Sequence, residues 1–363
     1  PIWLKSFPVE ASPKVQVTTA LWNRGTAMAS ARGACWWSGS RHLGQLRDGR
    51  TIEYFIFPPE PAHTPGGPLP TPPGVSNILF YHGFPGTGAE STLFARMAAE
   101  AEGAARPRWR LIAPSRPGFG QSDQRPDAPP LFSCGCFGAG RLPNTAKGAA
   151  LDSLELVGIL GLEAVSIVGL SGGGPPALCA AALCSSASDT RLRKVSIVAG
   201  IWGPAGPEGM MPDNVKLAQA MNGPPRRAWP MLKLMSVAMR AKPEAVAKAM
   251  KEKLPAPDAT LWSDDAFAKE LLASCGHSFA QGAWPAVLEG VSSFSSTPVV
   301  DLRAIQVEVN LYQGLADANV PRQHAEAMAA GLPKASLHLF DGLGHASCMA
   351  QKGPQIMSAA SYA

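Results

Sequence analysis

A serine in a glycine-rich turn is the strongest chemical signal in the sequence. Residues 169–173 (GLSGG) directly follow an apolar run at 164–168 and precede a helix-like segment at 175–183. Such a strand–turn–helix arrangement presents a serine hydroxyl at a tight turn that only small neighbours tolerate. The free N–H groups at the start of the helix would face an anion forming on a substrate. The pattern therefore predicts Ser171 as a nucleophile.

Two later turns contain the groups that would activate this serine. Asp317 lies in residues 314–321 (GLADANVP), and His345 ends residues 342–345 (GLGH). A hydroxyl needs a base at neutral pH, and a histidine base needs a carboxylate that fixes its tautomer. We predict His345 as the base and Asp317 as the acid. Glu208 is the alternative acid, whereas Asp341 is expected to cap the turn before His345.

A third turn, at residues 82–86 (HGFPG), follows an apolar run at 77–81. Stabilising an oxyanion requires two backbone N–H donors, one of them from the residue after the nucleophile. The predicted donors are the N–H groups of Phe84 and Gly172. His82 is expected to have a structural role beneath this loop.

The elements that must position these turns follow from the pattern of apolar runs. Runs at 42–47 and 51–57 flank Asp48 and Gly49, which predicts a tight hairpin. Six short apolar runs follow, each with a turn after it and several with a helix-like stretch, which is typical of parallel strands buried on both faces. These runs are 77–81, 109–113, 164–169, 195–200, 307–312 and 335–340, and the helices between them are expected at 91–104, 145–160 and 175–183.

No strand-like run occurs between residues 203 and 304, where helical patterns appear at 232–241, 243–253 and 265–274. We therefore predict an N-terminal extension (1–40), a core (41–203 and 304–363) and a helical cap (204–303). The cap is expected to cover the carboxyl edge of the sheet and to set substrate choice. The apolar residues expected to face the pocket are Trp202, Met211, Phe279 and Trp284, with Phe84 and Met210 as further candidates. The alternative is that the Met and Trp residues of the cap only pack its interior.

Composition excludes several other classes of protein. A hydrophobic content of 46% over 363 residues suffices for a large core. The net charge of +5 includes no dense basic run with aromatic residues, so nucleic acid is not an expected partner. No apolar run reaches the length of a membrane span. The seven cysteines have irregular spacing, which predicts no zinc site and favours a reducing compartment.

Localisation and assembly follow less directly from the sequence. A cytoplasmic location is expected, although residues 1–40 are rich in Ala, Ser and Arg, as organelle transit peptides are. The alternative is that this extension has no function. The sequence indicates no oligomeric state.

Together, these motifs resemble the α/β-hydrolase family with a helical cap, over residues 41–350. The matching segments are 82–86, 116–122 (RPGFGQS), 168–175 (VGLSGGGP), 314–321 and 344–345. The resemblance implies an eight-stranded, mostly parallel sheet flanked by helices, with the cap inserted after the sixth strand. It also implies a triad in the order Ser171, Asp317, His345, without a metal or an organic cofactor. Relatives that cleave epoxides or carbon–halogen bonds have Asp at the position of Ser171. The serine in this sequence therefore argues against both reactions.

The expected function is hydrolysis of a carboxylic ester, through an acyl-enzyme, on a small to medium, largely apolar substrate. The alternatives are a C–C bond or amide hydrolase, a cofactor-free perhydrolase, or a ligand-binding protein without turnover. Two segments depart from the family pattern: residues 126–143 are long and rich in Gly and Cys, and the segment after Ala346 is short.

Overall fold

The computed structural model describes residues 39–60, 63–103, 107–129, 145–187 and 189–363. It contains eight strands: β1 (Ser40–Gln45), β2 (Thr51–Phe57), β3 (Ser76–Tyr81), β4 (Trp109–Pro114), β5 (Val165–Leu170), β6 (Leu192–Val198), β7 (Val309–Gly314) and β8 (Ala335–Phe340). Every predicted strand is present, with bounds within a few residues of those expected. The sequence pattern therefore locates the whole sheet.

The strands form one sheet in the order β1-β2-β4-β3-β5-β6-β7-β8. β1 pairs antiparallel with β2, as the Asp48-Gly49 hairpin predicts, and β2 pairs antiparallel with β4. All other neighbours are parallel. The carboxyl ends of β3 to β8 therefore meet at one edge, where the turns that contain Phe84, Ser171, Asp317 and His345 begin.

Helices cover both faces of the sheet. Within the described ranges, the helices of the core are α1 (Gly88–Glu102), α2 (Thr145–Ile159), α3 (Gly174–Ser186), α10 (Gln323–Gly331) and α11 (His345–Ala360). Leu156, Leu178 and Met328 pack in one apolar cluster with the sheet, and Leu93 and Met357 pack in another. Strands β3, β4 and β5 are buried along their full length, which explains their continuous apolar character.

The segment between β6 and β7 is a helical insert, as expected. Its helices are α4 (Pro212–Met221), α5 (Pro225–Ala241), α6 (Pro243–Lys253), α7 (Ala256–Leu261), α8 (Asp265–Ser278) and α9 (Trp284–Ser293). We keep the word cap for residues 204–303. The prediction missed α4, α7 and α9, which are short helices with proline in their first turn. It also began α5 after Pro230, whereas the helix begins at Pro225 and continues through that proline.

The reason for the longer α5 is tertiary packing. Proline inside a helix removes one backbone hydrogen bond and normally ends the helix. Ala228 and Leu232, on either side of Pro230, are both fully buried in the apolar cluster of the cap. Their burial stabilises the two halves as one helix, an effect that local sequence signals do not contain.

Some sequence predictions fall on residues that the structure does not describe. These include most of the N-terminal extension and residues 130–143 of the Gly/Cys-rich segment. Among the described residues, no helix is both long and apolar enough to cross a membrane. Cys179 and Cys184 are buried in α3, and both are free thiols.

Candidate active site

The turn after β5 has the strained geometry of a nucleophile elbow. Ser171 has a φ of +54°, a left-handed conformation that costs energy in any residue with a side chain. A short 3-10 turn (Ser171–Gly173) connects β5 to α3, and the Ser171 carbonyl accepts a bond from the Ile201 N–H at 3.0 Å. Within the described part of the chain, the Ser171 hydroxyl makes no hydrogen bond. This residue is largely buried, with 7% of its surface exposed.

His345 and Asp317 meet at the ends of β8 and β7. His345 Nδ1 lies 2.8 Å from Asp317 Oδ2. A proton on Nδ1 that is donated to this carboxylate leaves Nε2 free to accept another proton. The pair therefore has the arrangement that a general base requires, and it lies at the sheet edge that also contains Ser171.

The carboxylate of Asp317 is fixed by a set of hydrogen bonds besides the one from His345. Its Oδ1 accepts bonds from the N–H groups of Asn319 and Val320, both at 2.8 Å. Its Oδ2 also accepts a bond from Gln313 Nε2 at 3.2 Å. These donors stabilise the charged carboxylate, which is fully buried.

The two competing acids lie elsewhere. Glu208 is exposed, and its backbone carbonyl contacts Gln323. Asp341 is also exposed and accepts a bond from the N–H of Gly342 at 3.0 Å, which is the contact expected for an acid that caps its turn. In the structure, Asp317 alone among the three is hydrogen bonded to His345.

The surroundings of His345 raise its pKa above the ordinary value of 6.5. Burial by itself favours the neutral ring, but the charge and hydrogen bond of Asp317 outweigh it. The negative charges of Asp258 and Glu90 act in the same direction. The three carboxylates together therefore stabilise a protonated imidazole.

The loop after β3 lies directly against the turn of Ser171. A Cβ atom placed on Gly172 would lie 2.5 Å from Phe84 Cβ and 3.1 Å from the Phe84 backbone nitrogen. Only glycine therefore allows this approach, and the two predicted oxyanion donors are neighbours. His82 is fully buried beneath this loop, where Nε2 accepts a bond from the Arg116 N–H at 3.3 Å.

Comparison with known proteins agrees with this architecture. A model of the alpha/beta hydrolase family matches residues 78–356. The chain belongs to this family. A search of curated proteins found no matching sequence.

Several solved structures share the fold of this α/β-hydrolase at low sequence identity. A bromoperoxidase from Bacillus anthracis is 17% identical, with a TM-score of 0.56 over 88% of this chain and 99% of that chain. A thermophilic esterase from Thermogutta terrifontis is 18% identical, with a TM-score of 0.54 over 89% and 96%. An α/β-hydrolase fold protein from Nakamurella multipartita is 22% identical, with a TM-score of 0.56 over 88% and 98%.

The loop after β3 is held by two buried side chains, Glu90 and Arg116, whose supporting role was not among the sequence predictions. Glu90 Oε2 accepts a bond from the Gly83 N–H at 3.0 Å, and burial raises the pKa of Glu90 to about 7. Arg116 donates to the carbonyls of His82 and Gly83 and pairs with Glu289 of the cap at 2.7 Å. Arg116 lies in the RPGFGQS motif. That motif was therefore the only sequence feature that pointed to the support of the loop after β3.

The residues predicted to face the pocket have different positions. Phe279 is fully buried in the apolar cluster of the cap, and Trp284 and Phe84 pack against that cluster. The indole N–H of Trp284 donates to the Pro129 carbonyl at 2.7 Å. Trp202 belongs to the cluster on the sheet instead. The half-buried Met211 is joined to the turn of Asp317 through a backbone bond to Ala318 at 2.7 Å.

Across the described ranges, no group of three or more His, Cys, Asp or Glu side chains could hold a metal ion.

Proposed function

We propose that this α/β-hydrolase cleaves a carboxylic ester of small to medium size and largely apolar character. Ser171 is the nucleophile, His345 the general base and Asp317 the acid that orients it. The observation that carries the proposal is the combination of a strained serine turn with a His345–Asp317 hydrogen bond, whose carboxylate is fully buried, at the same sheet edge. Residues held in such strained backbone conformations cluster at active sites.

The reaction follows from these positions. His345 Nε2 takes the proton of the Ser171 hydroxyl as its oxygen attacks the ester carbonyl. The N–H groups of Phe84 and Gly172 stabilise the negative oxygen that forms. The protonated His345 then donates to the leaving alcohol, and water hydrolyses the acyl-enzyme by the same steps in reverse. Asp317 remains charged throughout and stabilises the imidazolium.

The experiment that tests the proposal combines a covalent probe with a substrate series. A fluorophosphonate probe should label the parent protein at Ser171, identified by mass spectrometry of the labelled peptide. Hydrolysis of p-nitrophenyl esters of graded acyl length should then show which chain length is preferred. A protein that neither reacts with the probe nor hydrolyses any ester would instead be a ligand-binding member of the fold.

We expect kcat/KM to rise with pH through a single ionisation whose apparent pKa lies above 6.5. His345 must be neutral to accept the Ser171 proton, and its pKa is raised by Asp317. The measurement is the pH profile of p-nitrophenyl butyrate hydrolysis between pH 5 and 9. A profile that is flat across this range, with chemistry rate-limiting, would contradict a histidine base.

Glu90 requires a control in this experiment, because its pKa of about 7 falls in the same range. Glu90→Gln retains an oxygen that can accept the Gly83 N–H and removes the titrating group. The acidic limb should persist in this variant and move to lower pH, since one negative charge near His345 is lost. Disappearance of the limb would assign it to Glu90 instead.

We expect Trp284→Ala and Met211→Ala to shift the preferred acyl length while catalysis survives. Each methylene that a pocket buries contributes about 0.8 kcal/mol, or roughly fourfold in selectivity. The measurement is the ratio of kcat/KM values for butyrate and octanoate esters. Trp262→Ala is the matched control, because this cap tryptophan packs on Phe267 in a different cluster. An equal loss on every ester would mean that Trp284 and Met211 only stabilise the cap.

A further inference from the structure

The helix that contains His345 lacks an N-cap side chain of its own. α11 begins at His345, and the preceding residue, Gly344, has no side chain that could accept the first N–H groups. The N–H groups of His345 and Ser347 donate to the carboxylate of Asp258 instead. The His345 N–H lies 2.7 Å from Asp258 Oδ2, and the Ser347 N–H lies 2.9 Å from Asp258 Oδ1. The cap of this helix is therefore supplied by a residue 87 positions earlier in the chain.

Asp258 belongs to α7, within the helical insert, and only 1% of its surface is exposed. Among the described residues, no Lys or Arg side chain forms an ion pair with it. A buried carboxylate is costly unless hydrogen bonds or opposite charges compensate it. Here the two N–H groups and the positive end of the α11 dipole provide that compensation. The acid and the helix start therefore stabilise each other.

The residue before His345 is shaped by the same contact. A Cβ atom on Gly344 would lie 2.5 Å from Asp258 Oδ2. The carboxylate thus occupies the space that a side chain at this position would need. At the start of α11, the Asp258 carboxylate has room only because the N-cap residue, Gly344, has no side chain.

We infer that Asp258 is a positioning residue for catalysis, through which the cap fixes the backbone of the general base. The inference rests on the proposed function of His345. Asp317 holds the imidazole ring at Nδ1, and Asp258 holds the main chain of the same residue. Two carboxylates, one from the core and one from the cap, therefore fix the ring and its backbone. The cap contributes to the catalytic geometry as well as to substrate choice.

The first test is Asp258→Asn, compared with Asp264→Asn as the matched control. Asp264 is also a cap carboxylate at a helix start, where it accepts bonds from the N–H groups of Ala266 and Phe267. Asparagine at 258 can accept only one N–H through its oxygen and has no charge. We expect kcat to fall on the order of tenfold to a hundredfold, because small displacements of a catalytic group are that costly. KM should change much less, and Asp264→Asn should retain parental kinetics.

The pH profile separates positioning from a general loss of stability. The charged groups that face His345 are Asp317, Asp258 and Glu90. Removing the charge of Asp258 should move the acidic limb of kcat/KM to lower pH. Asp264→Asn should leave the limb in place even if the protein unfolds at a lower temperature. Parental kcat and an unshifted limb in a folded Asp258→Asn protein would overturn the inference.

A second variant decides the matter if Asp258→Asn does not fold. Gly344→Ala keeps the charge of Asp258 but places a methyl group where its carboxylate lies. We expect a fall in kcat with a smaller shift of the limb, and unchanged kcat would count against the inference. The parent protein is the reference for the proposed function itself. If it shows neither probe labelling nor ester hydrolysis, the proposed function fails, whatever Asp258 does.

Discussion

Replacing Ser171 with alanine should lower kcat for ester hydrolysis by on the order of a millionfold, which is the effect of removing a triad nucleophile. No other group at this turn could form the acyl-enzyme. The fold should be preserved, because the Ser171 hydroxyl makes no hydrogen bond within the described part of the chain. The measurements are hydrolysis of p-nitrophenyl butyrate, probe labelling and thermal unfolding by circular dichroism.

Ser166→Ala is the matched control for this variant. Ser166 lies on the same strand, β5, and its buried hydroxyl has no hydrogen-bond partner among the described residues. Removing this hydroxyl should not reduce the activity, and it should not lower the unfolding temperature. If Ser171→Ala retained activity within tenfold of the parent, Ser171 could not be the nucleophile.

Replacing Asp317 with asparagine should lower kcat by about 10⁴, as the comparable change does in other triads. The amide can donate to His345 Nδ1 and so favour the wrong tautomer, which leaves Nε2 protonated. Asparagine also loses the negative charge that raises the pKa of His345. Kinetics at several pH values should show the loss in kcat together with an altered acidic limb.

Glu208→Gln distinguishes Asp317 from the alternative acid. Glu208 is exposed, and its contact with Gln323 uses the backbone carbonyl, so the side-chain change should leave kcat within about twofold of the parent. A larger loss in Glu208→Gln than in Asp317→Asn would reverse the assignment of the acid.

Local signals predicted the sheet and the turns of the candidate site well. Buried parallel strands have continuous apolar runs, and each run in the core ends in a turn with a distinctive composition. The position of Ser171 between β5 and α3 could be read from a dozen consecutive residues. The family resemblance then supplied the order of the three proposed catalytic residues.

The sequence could not predict the contacts that join distant segments. Glu90 supports the Gly83 backbone from α1, and Asp258 contacts His345 across 87 positions. Nothing in the local composition of either acid distinguishes it from a solvated surface carboxylate. Proline in the first turn of α4, α7 and α9 likewise suggested breaks, although proline is tolerated there.

Capping of α11 by Asp258 limits how freely the insert can be exchanged between proteins of this fold. The insert lies entirely between β6 and β7 in the chain. This position suggests a unit that could be replaced by the insert of another protein. An insert without an acceptor at this point would leave two N–H groups unpaired at a largely buried helix start, at a cost of about 1–3 kcal/mol each. A successful graft must therefore bring its own carboxylate, or must be accompanied by a capping residue such as Asp or Ser in place of Gly344. Asp258 and Gly344 form a pair that an engineer, or evolution, has to change together.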